Sequence, residues 1–161
     1  MAEKTGKQPI LVPVDFSAAS ETALLKAFEL AECLKVRVIV LHVVHDPGDM
    51  PGYYTTMIKK KKLARMQDAA RVMLDEFIQE FRKKFTTKQR LKRAERMLVI
   101  GLPVTRILQV AEKIDASLVV MGSKGETGLK HLMLGSVAER VVQLCPLPVM
   151  VVKAASLEET S

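Results

Sequence analysis

Short apolar runs alternate with longer amphipathic segments along this chain. The runs cover residues 10–14, 36–44, 97–100, 118–121 and 149–152 and are rich in Val, Ile, Leu and Met. Short runs of this kind, with many β-branched residues, are typical of strands. Because both alternating sets of positions within a run are apolar, we expect strands that are covered on both faces, as in a parallel sheet.

The segments between the runs repeat apolar residues every three or four positions, which predicts amphipathic helices. Ser17 suits the N-cap of the first helix, and a long second helix is expected over 58–85. Pro103 suits the first turn of the third helix. Ser136, followed by Glu139, forms a capping-box pattern that predicts the start of a fourth helix.

The apolar positions of the first two helices define the faces expected to pack on the sheet. In the first helix these positions are Ala23, Ala27, Leu30, Ala31 and Leu34. In the second helix they are Leu63, Met66, Ala70, Met73, Phe77 and Phe81. Methionines at this spacing indicate core packing rather than a metal site.

Strands that alternate with helices predict an α/β fold. We expect a five-stranded parallel sheet with helices on both faces and right-handed crossovers, a Rossmann-like arrangement. The 161 residues suit a single domain. We assign residues 9–153 to that domain, with a disordered tail at 1–8 and a frayed tail at 154–161. In such sheets ligands bind beyond the carboxyl ends of the strands, where the strand order reverses.

A spaced set of glycines follows the fourth predicted strand. Gly122 ends that strand, Gly125 comes three residues later, and Gly135 and Ser136 follow after nine more residues. Glycines let backbone N–H groups approach an anion, and the free N–H groups at a helix start hold its charge. Each glycine alone could serve turn geometry only. Together, after a strand and before a helix, they predict a phosphate-binding loop.

Asp15 is a second candidate, because it comes directly after the first predicted strand. Its carboxylate could accept hydrogen bonds from a ribose or from an adenine amino group. The alternative is that it only caps a turn or the following helix. Pro13 and Val43 flank the same edge, where they either pack against a base or belong to the core.

Several well-known sites are absent from the sequence. It has no Gly-x4-Gly-Lys-Ser/Thr, no Gly-x-Gly-x-x-Gly after the first strand, no Gly-x-Ser-x-Gly elbow and no zinc-ligand spacing. Asp15 has no second acidic residue beside it for a tight magnesium site. Any bound Mg²⁺ or Mn²⁺ is therefore expected to be held mainly by the phosphates of a ligand and by water.

Composition indicates the cellular compartment in which this protein is expected. Hydrophobic residues make up 48% of the chain, and its two cysteines show no metal-ligand spacing. No apolar run approaches the ~20 residues of a membrane span, and the N-terminus has no apolar segment typical of a secretory signal. We therefore expect a cytoplasmic protein without a membrane span.

The net charge of +7 is concentrated in one part of the chain, since residues 59–96 contain 14 Lys and Arg but only 5 Asp and Glu. The simpler interpretation is a solvated helix face followed by a basic connector at 82–93. The alternative is a surface for nucleic acid or another anionic partner. Aromatic residues make up only 4% of the chain, with no Trp, so nucleic-acid binding is not favoured.

These motifs resemble the universal stress protein family, in its ATP-binding branch. The resemblance runs from Ile10 to Lys153 and includes the first strand with Asp15, and Gly101-Leu102-Pro103 before the third helix. Its most specific part is Gly-x2-Gly-x9-Gly-Ser over 122–136, which is similar to the family's ATP-binding motif. The fold implied is Rossmann-like, of the adenine nucleotide alpha-hydrolase type.

The resemblance implies a role for each matching residue. Asp15 would contact the adenosine part, Pro13 and Val43 would line the adenine pocket, and Gly122 would lie against the ribose. The phosphates would meet the loop and the helix start. The complete set implied is Pro13, Val14, Asp15, Val43, Met121, Gly122, Ser123, Lys124, Gly125, Glu126, Thr127, Gly128, Gly135, Ser136 and Val137. No catalytic residue is implied.

Three functions remain open at this point. The first is an ATP-binding stress-response regulator, in which ATP, ADP or AMP biases conformation, dimerisation or the binding of an unknown protein partner. The resemblance implies a homodimer through the last strand, Val149–Val152. The second is a slow ATP hydrolase or phosphotransferase, although the sequence offers no clear general base. The third is a nucleotide-independent dimeric scaffold with a basic anion-binding helix.

Overall fold

A computed structural model describes residues 6–45, 55–85, 94–124 and 134–154. It contains a sheet of five strands, all paired in parallel. The strands are β1 Ile10–Pro13, β2 Val38–His45, β3 Ala94–Gly101, β4 Leu118–Gly122 and β5 Val149–Val152. Their order across the sheet is β3-β2-β1-β4-β5. The chain thus builds outward from β1 on one side and then crosses to β4, which makes the β1/β4 boundary the switch point of the topology.

Helices cover both faces of the sheet, as predicted. They are α1 Ala18–Leu34, α2 Thr55–Lys84, α3 Pro103–Lys113 and α4 Ser136–Leu144. Side chains alternate along β2, so that Val38 and Val40 pack in one core cluster with α1 and α2, while Ile39 and Leu41 pack in another with α3 and α4. This explains why both sets of strand positions are apolar.

Two helix positions were assigned wrongly from the sequence. Leu34 is 51% exposed and Met73 is 50% exposed, although both had been placed on core-facing stripes. Leu34 is the last residue of α1, beyond the part that crosses the sheet. In α2 the buried stripe runs through Ala70, Leu74, Ile78 and Phe81, and so turns away from Met73.

Several element boundaries also differ from the prediction. Strand β2 begins at Val38 rather than at residue 36, because the Val36 N–H still bonds to the Ala31 carbonyl at 3.0 Å and closes the end of α1. Strand β3 begins at Ala94 rather than at residue 97. Its first residues include the exposed Glu95 and Arg96, which an edge strand tolerates and a search for apolar runs misses.

Helix α2 begins at Thr55, three residues before the predicted start, and it continues to Lys84. Arg82, Lys83 and Lys84 therefore form the last helical turn rather than a connector. The rest of the predicted connector, at 86–93, lies outside the described residues, as do residues 1–5 and 155–161 of the predicted tails. Within the described ranges, no helix is long and apolar enough to cross a membrane.

Candidate functional site

A cavity of about 650 Å³ opens at the carboxyl edge of the sheet, beside the ends of β1, β2 and β4. We call it the carboxyl-edge cavity. Its walls bring together eleven of the fifteen residues proposed from the sequence. These are Pro13, Val14, Asp15, Val43, Met121, Gly122, Ser123, Lys124, Gly135, Ser136 and Val137. The other four, Gly125, Glu126, Thr127 and Gly128, lie outside the described residues.

The chain leaves β1 through a short segment at 14–17, the β1 exit, which hydrogen bonds fix to β2. The Val14 N–H donates to the Leu41 carbonyl at 2.8 Å, and the Val14 carbonyl lies 2.8 Å from Nδ1 of His42. A carbonyl can only accept, so Nδ1 carries the proton. The His42 ring stacks on Phe16 with centroids 4.3 Å apart, and Phe16 itself adopts the left-handed conformation with φ 67°.

Asp15 closes the β1 exit with its own side chain. Its Oδ1 accepts from the Ser17 backbone N–H at 3.1 Å and from the Ser17 hydroxyl at 2.5 Å. Ser17 is the N-cap of α1, as predicted, and its Oγ accepts from the Ser20 N–H at 3.2 Å. The second carboxylate oxygen of Asp15 has no hydrogen-bond partner in the described part of the chain, and the side chain is exposed. Asp15 therefore caps the turn and still keeps one acceptor for a ligand.

The chain leaves β4 through Gly122, Ser123 and Lys124, the β4 exit, which is built by close packing. A Cβ added at Gly122 would lie 2.8 Å from both the carbonyl carbon and the Cβ of Ala19 in α1. Any side chain at this position would push α1 away from the sheet. Gly122 is thus required by the fold itself, whatever it contributes to a ligand.

Backbone hydrogen bonds join Ser123 and Gly135, the two ends of the predicted phosphate-binding loop. The Ser123 N–H donates to the Val152 carbonyl at 2.9 Å, and the Ser123 carbonyl accepts from the Gly135 N–H at 2.7 Å. The segment that leaves the sheet at Ser123 therefore returns beside it, and α4 starts at the mouth of the carboxyl-edge cavity.

The start of α4 differs from the predicted capping box. Gly135 is the N-cap and Ser136 is the first helical residue, so Ser136 and Glu139 stand one position too late for the reciprocal bonds of a capping box. Among the described residues, no side chain caps this helix. Its first N–H groups have no intrahelical acceptor, and residues 135–139 line the cavity. This end can therefore accept an anion.

Charged side chains of both signs line the same cavity. Lys124 adds a positive charge near the start of α4, whereas Asp15 and Glu139 are acidic. Among the described residues, no group of three or more His, Cys, Asp and Glu is placed to hold a metal ion. Lys124 and the start of α4 supply donors for an anion, and the apolar walls suit a ligand with an apolar body.

The sequence analysis missed part of the cavity wall. The additional lining residues are Ser20, Leu41, His42, Pro103, Ile107, Leu134, Ala138 and Glu139. Leu41 and Ile107 are buried in the core and still border the cavity. The sequence could have predicted part of this wall from topology alone. Helix α3 starts at Pro103, on the edge of the sheet where the strands end.

Comparison with known proteins gives a consistent result. Residues 7–153 match the model of the universal stress protein family. The chain is 31% identical to universal stress protein MJ0577 of Methanocaldococcus jannaschii over 162 aligned positions, which cover 89% of this chain and 93% of that protein.

Two solved structures have a similar fold. Universal stress protein UspA from Lactobacillus plantarum matches with a TM-score of 0.74 at 23% identity, covering 92% of this chain and 99% of that one. The universal stress protein from Archaeoglobus fulgidus, solved in complex with dAMP, matches with a TM-score of 0.58 at 26% identity, covering 91% and 98%.

Proposed function

This chain belongs to the universal stress protein family, and on that premise we propose that its carboxyl-edge cavity binds an adenine nucleotide. The observation that carries the proposal is the convergence of three features on one cavity. These are an acceptor oxygen of Asp15 at the β1 exit, the close-packed backbone at Gly122, and the uncapped start of α4. A volume of about 650 Å³ suits a ligand of nucleotide size.

Each part of a nucleotide has a matching part of the cavity wall. Pro13 and Val43 give an apolar surface for the base. The free oxygen of Asp15 can accept from a ribose hydroxyl. The phosphates would lie against Lys124 and the first N–H groups of α4, where backbone donors and the helix dipole favour negative charge. The relative from Archaeoglobus fulgidus that was solved with dAMP supports this class of ligand.

We propose ATP as the ligand, with ADP or AMP as alternatives, and with Mg²⁺ or Mn²⁺ held mainly by the phosphates. The nucleotide acts as a regulatory ligand in the cytoplasm rather than as a substrate. A ligand that binds only the folded state raises stability by about 2.7 kcal/mol at one hundred times its Kd. ATP binding at this edge would hold the two strand exits and the start of α4 together, and so bias the surface offered to a protein partner.

We further propose a homodimer through β5, which lies at one edge of the sheet. Its four residues are apolar and half-buried, so pairing with a second copy would cover their side chains. It would also give hydrogen-bond partners to the backbone groups of the open edge. Because the Val152 carbonyl bonds toward β4, Val151 directs its backbone groups outward. Val151→Pro removes that outward donor. We expect it to halve the mass measured by ultracentrifugation, and an unchanged mass would contradict this interface.

The nucleotide proposal is tested by placing a charge where the phosphates would lie. Ser136→Asp puts a carboxylate at the first position of α4, where the helix dipole stabilises it, so folding is preserved. Isothermal titration should give an affinity for ATP and AMP at least about tenfold weaker than wild type, a loss of 1.4 kcal/mol. Affinity for adenosine should change little, because adenosine has no phosphate.

Thr105→Asp is the matched control. It adds the same charge to the exposed first turn of α3, where Thr105 does not line the cavity. We expect it to leave ATP affinity within about twofold of wild type, since Thr105 is exposed and salt screens a charge in solvent. Equal ATP affinity in wild type and Ser136→Asp would refute the proposed phosphate position. Absence of any nucleotide binding by wild type would refute the function.

A further inference from the structure

Helix α2 carries a second apolar stripe besides the one that packs in the core. Over its 30 residues, the described side chains that are buried all come from Ala70 onward. The second stripe consists of Met66, Ala69, Val72 and Met73, at spacings of three and four residues. Val72 is 56% exposed and Met73 is 50% exposed. We call these four residues the α2 seam.

Charges extend the α2 seam in both directions along the same face. Lys62 and Arg65 precede it, and Glu76 and Glu80 follow it, all at three- or four-residue steps and all exposed. Lys83 lies one turn beyond the acidic pair. In the described part of the chain, neither Lys62 nor Arg65 has an ion-pair partner. The face is therefore basic at one end, apolar in the middle and acidic toward the other end.

We propose that the α2 seam is a contact surface for a second copy of this chain, with the two α2 helices antiparallel. A two-fold axis through the seam would set Lys62 and Arg65 of one copy opposite Glu80 and Glu76 of the other. It would also set the small Ala69 of one copy opposite Val72 of the other, next to the crossing point, where two helices can approach closely. An isologous contact needs a self-complementary patch, and this order of charges supplies one.

The order of charges along the α2 seam face favours a second copy of this chain over a lipid surface or a nucleic acid. A lipid surface or a nucleic acid would bind Lys62 and Arg65 but would be repelled by Glu76 and Glu80 on the same face. A parallel helix pair would set like charges opposite each other. One helix pair buries less area than the standard interface of about 1,600 Å², so the contact is expected to be reversible.

The α2 seam is separate from the sites proposed above. Helix α2 packs on β2 and β3, whereas β5 forms the opposite edge of the sheet. None of the four seam residues lines the carboxyl-edge cavity. The contact therefore requires neither nucleotide binding nor the β5 dimer. A negative result for the α2 seam would leave both of those proposals standing.

A charge swap on the full-length chain tests the contact. Variant one carries Lys62→Glu and Arg65→Glu, and variant two carries Glu76→Lys and Glu80→Lys. Each alone would set like charges opposite each other. In sedimentation equilibrium from micromolar to millimolar protein, each should show a self-association constant at least about tenfold weaker than wild type. An equimolar mixture of the two should recover the association, because acidic and basic ends again face each other.

A cysteine probe gives a second readout that does not depend on charge. In a Cys33→Ser, Cys145→Ser background, an equimolar mixture of Ala69→Cys and Val72→Cys should rapidly form an oxidised dimer between the two variants. Arg71→Cys, exposed on another side of the same helix, should form it at least about tenfold more slowly, because a disulfide needs Cα atoms within about 7 Å.

Three results would overturn the proposal. The first is an unchanged association in both charge variants. The second is a mixture that associates no better than its components. The third is a wild-type chain that does not self-associate through the α2 seam. Such a chain would instead sediment with vesicles of anionic lipid or bind a labelled DNA duplex.

Discussion

The two strand exits that frame the carboxyl-edge cavity are built in opposite ways. The β1 exit is held by polar side chains, with Asp15 bonded to Ser17 and His42 bonded to the Val14 carbonyl. The β4 exit is held by the absence of a side chain, since Gly122 lies against the backbone of Ala19. One exit can lose a hydrogen bond and relax, whereas the other cannot accept a single added methyl group.

This difference separates the residues that shape the cavity from those that recognise a ligand. At the β4 exit, the packing that shapes the cavity also holds α1 against the sheet. A substitution there should therefore lower both the stability of the fold and the affinity for a ligand. At the β1 exit, one oxygen of Asp15 serves the turn and the other is free. Stability and binding should therefore be separable at Asp15.

The largest effect is expected at Gly122. Gly122→Ala puts a methyl group 2.8 Å from two atoms of Ala19, and overpacking of this kind costs about 1–3 kcal/mol. Urea denaturation should show the loss as a lower midpoint. Gly6→Ala is the control, because nothing lies within 4 Å of its added Cβ. Combining Gly122→Ala with Ala19→Gly should recover part of the loss, and additivity of the two changes would contradict direct contact.

A smaller effect is expected at His42. His42→Phe keeps an aromatic ring against Phe16 but removes the donor to the Val14 carbonyl. Loss of one partly buried hydrogen bond should lower the free energy of unfolding by about 1 kcal/mol. Thr22→Val removes an exposed hydroxyl that bonds to the Ala18 carbonyl and should cost less. Equal losses in the two variants would show that the His42 bond does not fix the β1 exit.

Asp15 tests whether stability and binding separate. Asp15→Asn keeps an oxygen that can accept from the Ser17 N–H, so its unfolding midpoint should stay close to wild type. Asp15→Ala removes that acceptor and should cost about 0.5–1 kcal/mol. Both variants lose the carboxylate and should bind ATP more weakly. If Asp15→Asn bound ATP as tightly as wild type, the carboxylate would serve only the turn.

The smallest effect is expected where α2 meets α1. Hydrogen bonding and attraction from Glu21 raise the pKa of Lys84 above its ordinary value of 10.5. A raised pKa in the folded state stabilises the fold below pH 10.5, and the gain is lost as pH rises through the folded pKa. Lys84→Met should therefore be slightly less stable than wild type at neutral pH and indistinguishable at strongly alkaline pH. Lys83→Met, which has no such bond, is the control.

The sequence predicted the elements that carry a local signal. Apolar runs located all five strands, Ser17 marked the start of α1, and Gly122, Gly135 and Ser136 of the glycine pattern line one cavity. The reason for Gly122 could not be found in the same way. It depends on Ala19, more than one hundred positions earlier, which reaches it only after the sheet has formed.

The errors in the prediction have a physical cause as well. Helical periodicity at Met73 fits two adjacent stripes of α2, and only packing on β2 and β3 decides which one is buried. The first residues of β3 are charged because one of its sides is an open edge. Ser136 matches a capping box in sequence, yet Gly135 takes the N-cap position because its N–H bonds back to Ser123.

A crystal structure of the chain grown with ATP and Mg²⁺ would show whether the carboxyl-edge cavity binds the nucleotide. We expect the base against Pro13 and Val43, a ribose hydroxyl on the free oxygen of Asp15, and the phosphates at the start of α4. Mg²⁺ should contact phosphate oxygens and water. Nucleotide bound at any other surface, or a carboxyl-edge cavity that remains without nucleotide at saturating ATP, would contradict the nucleotide proposal.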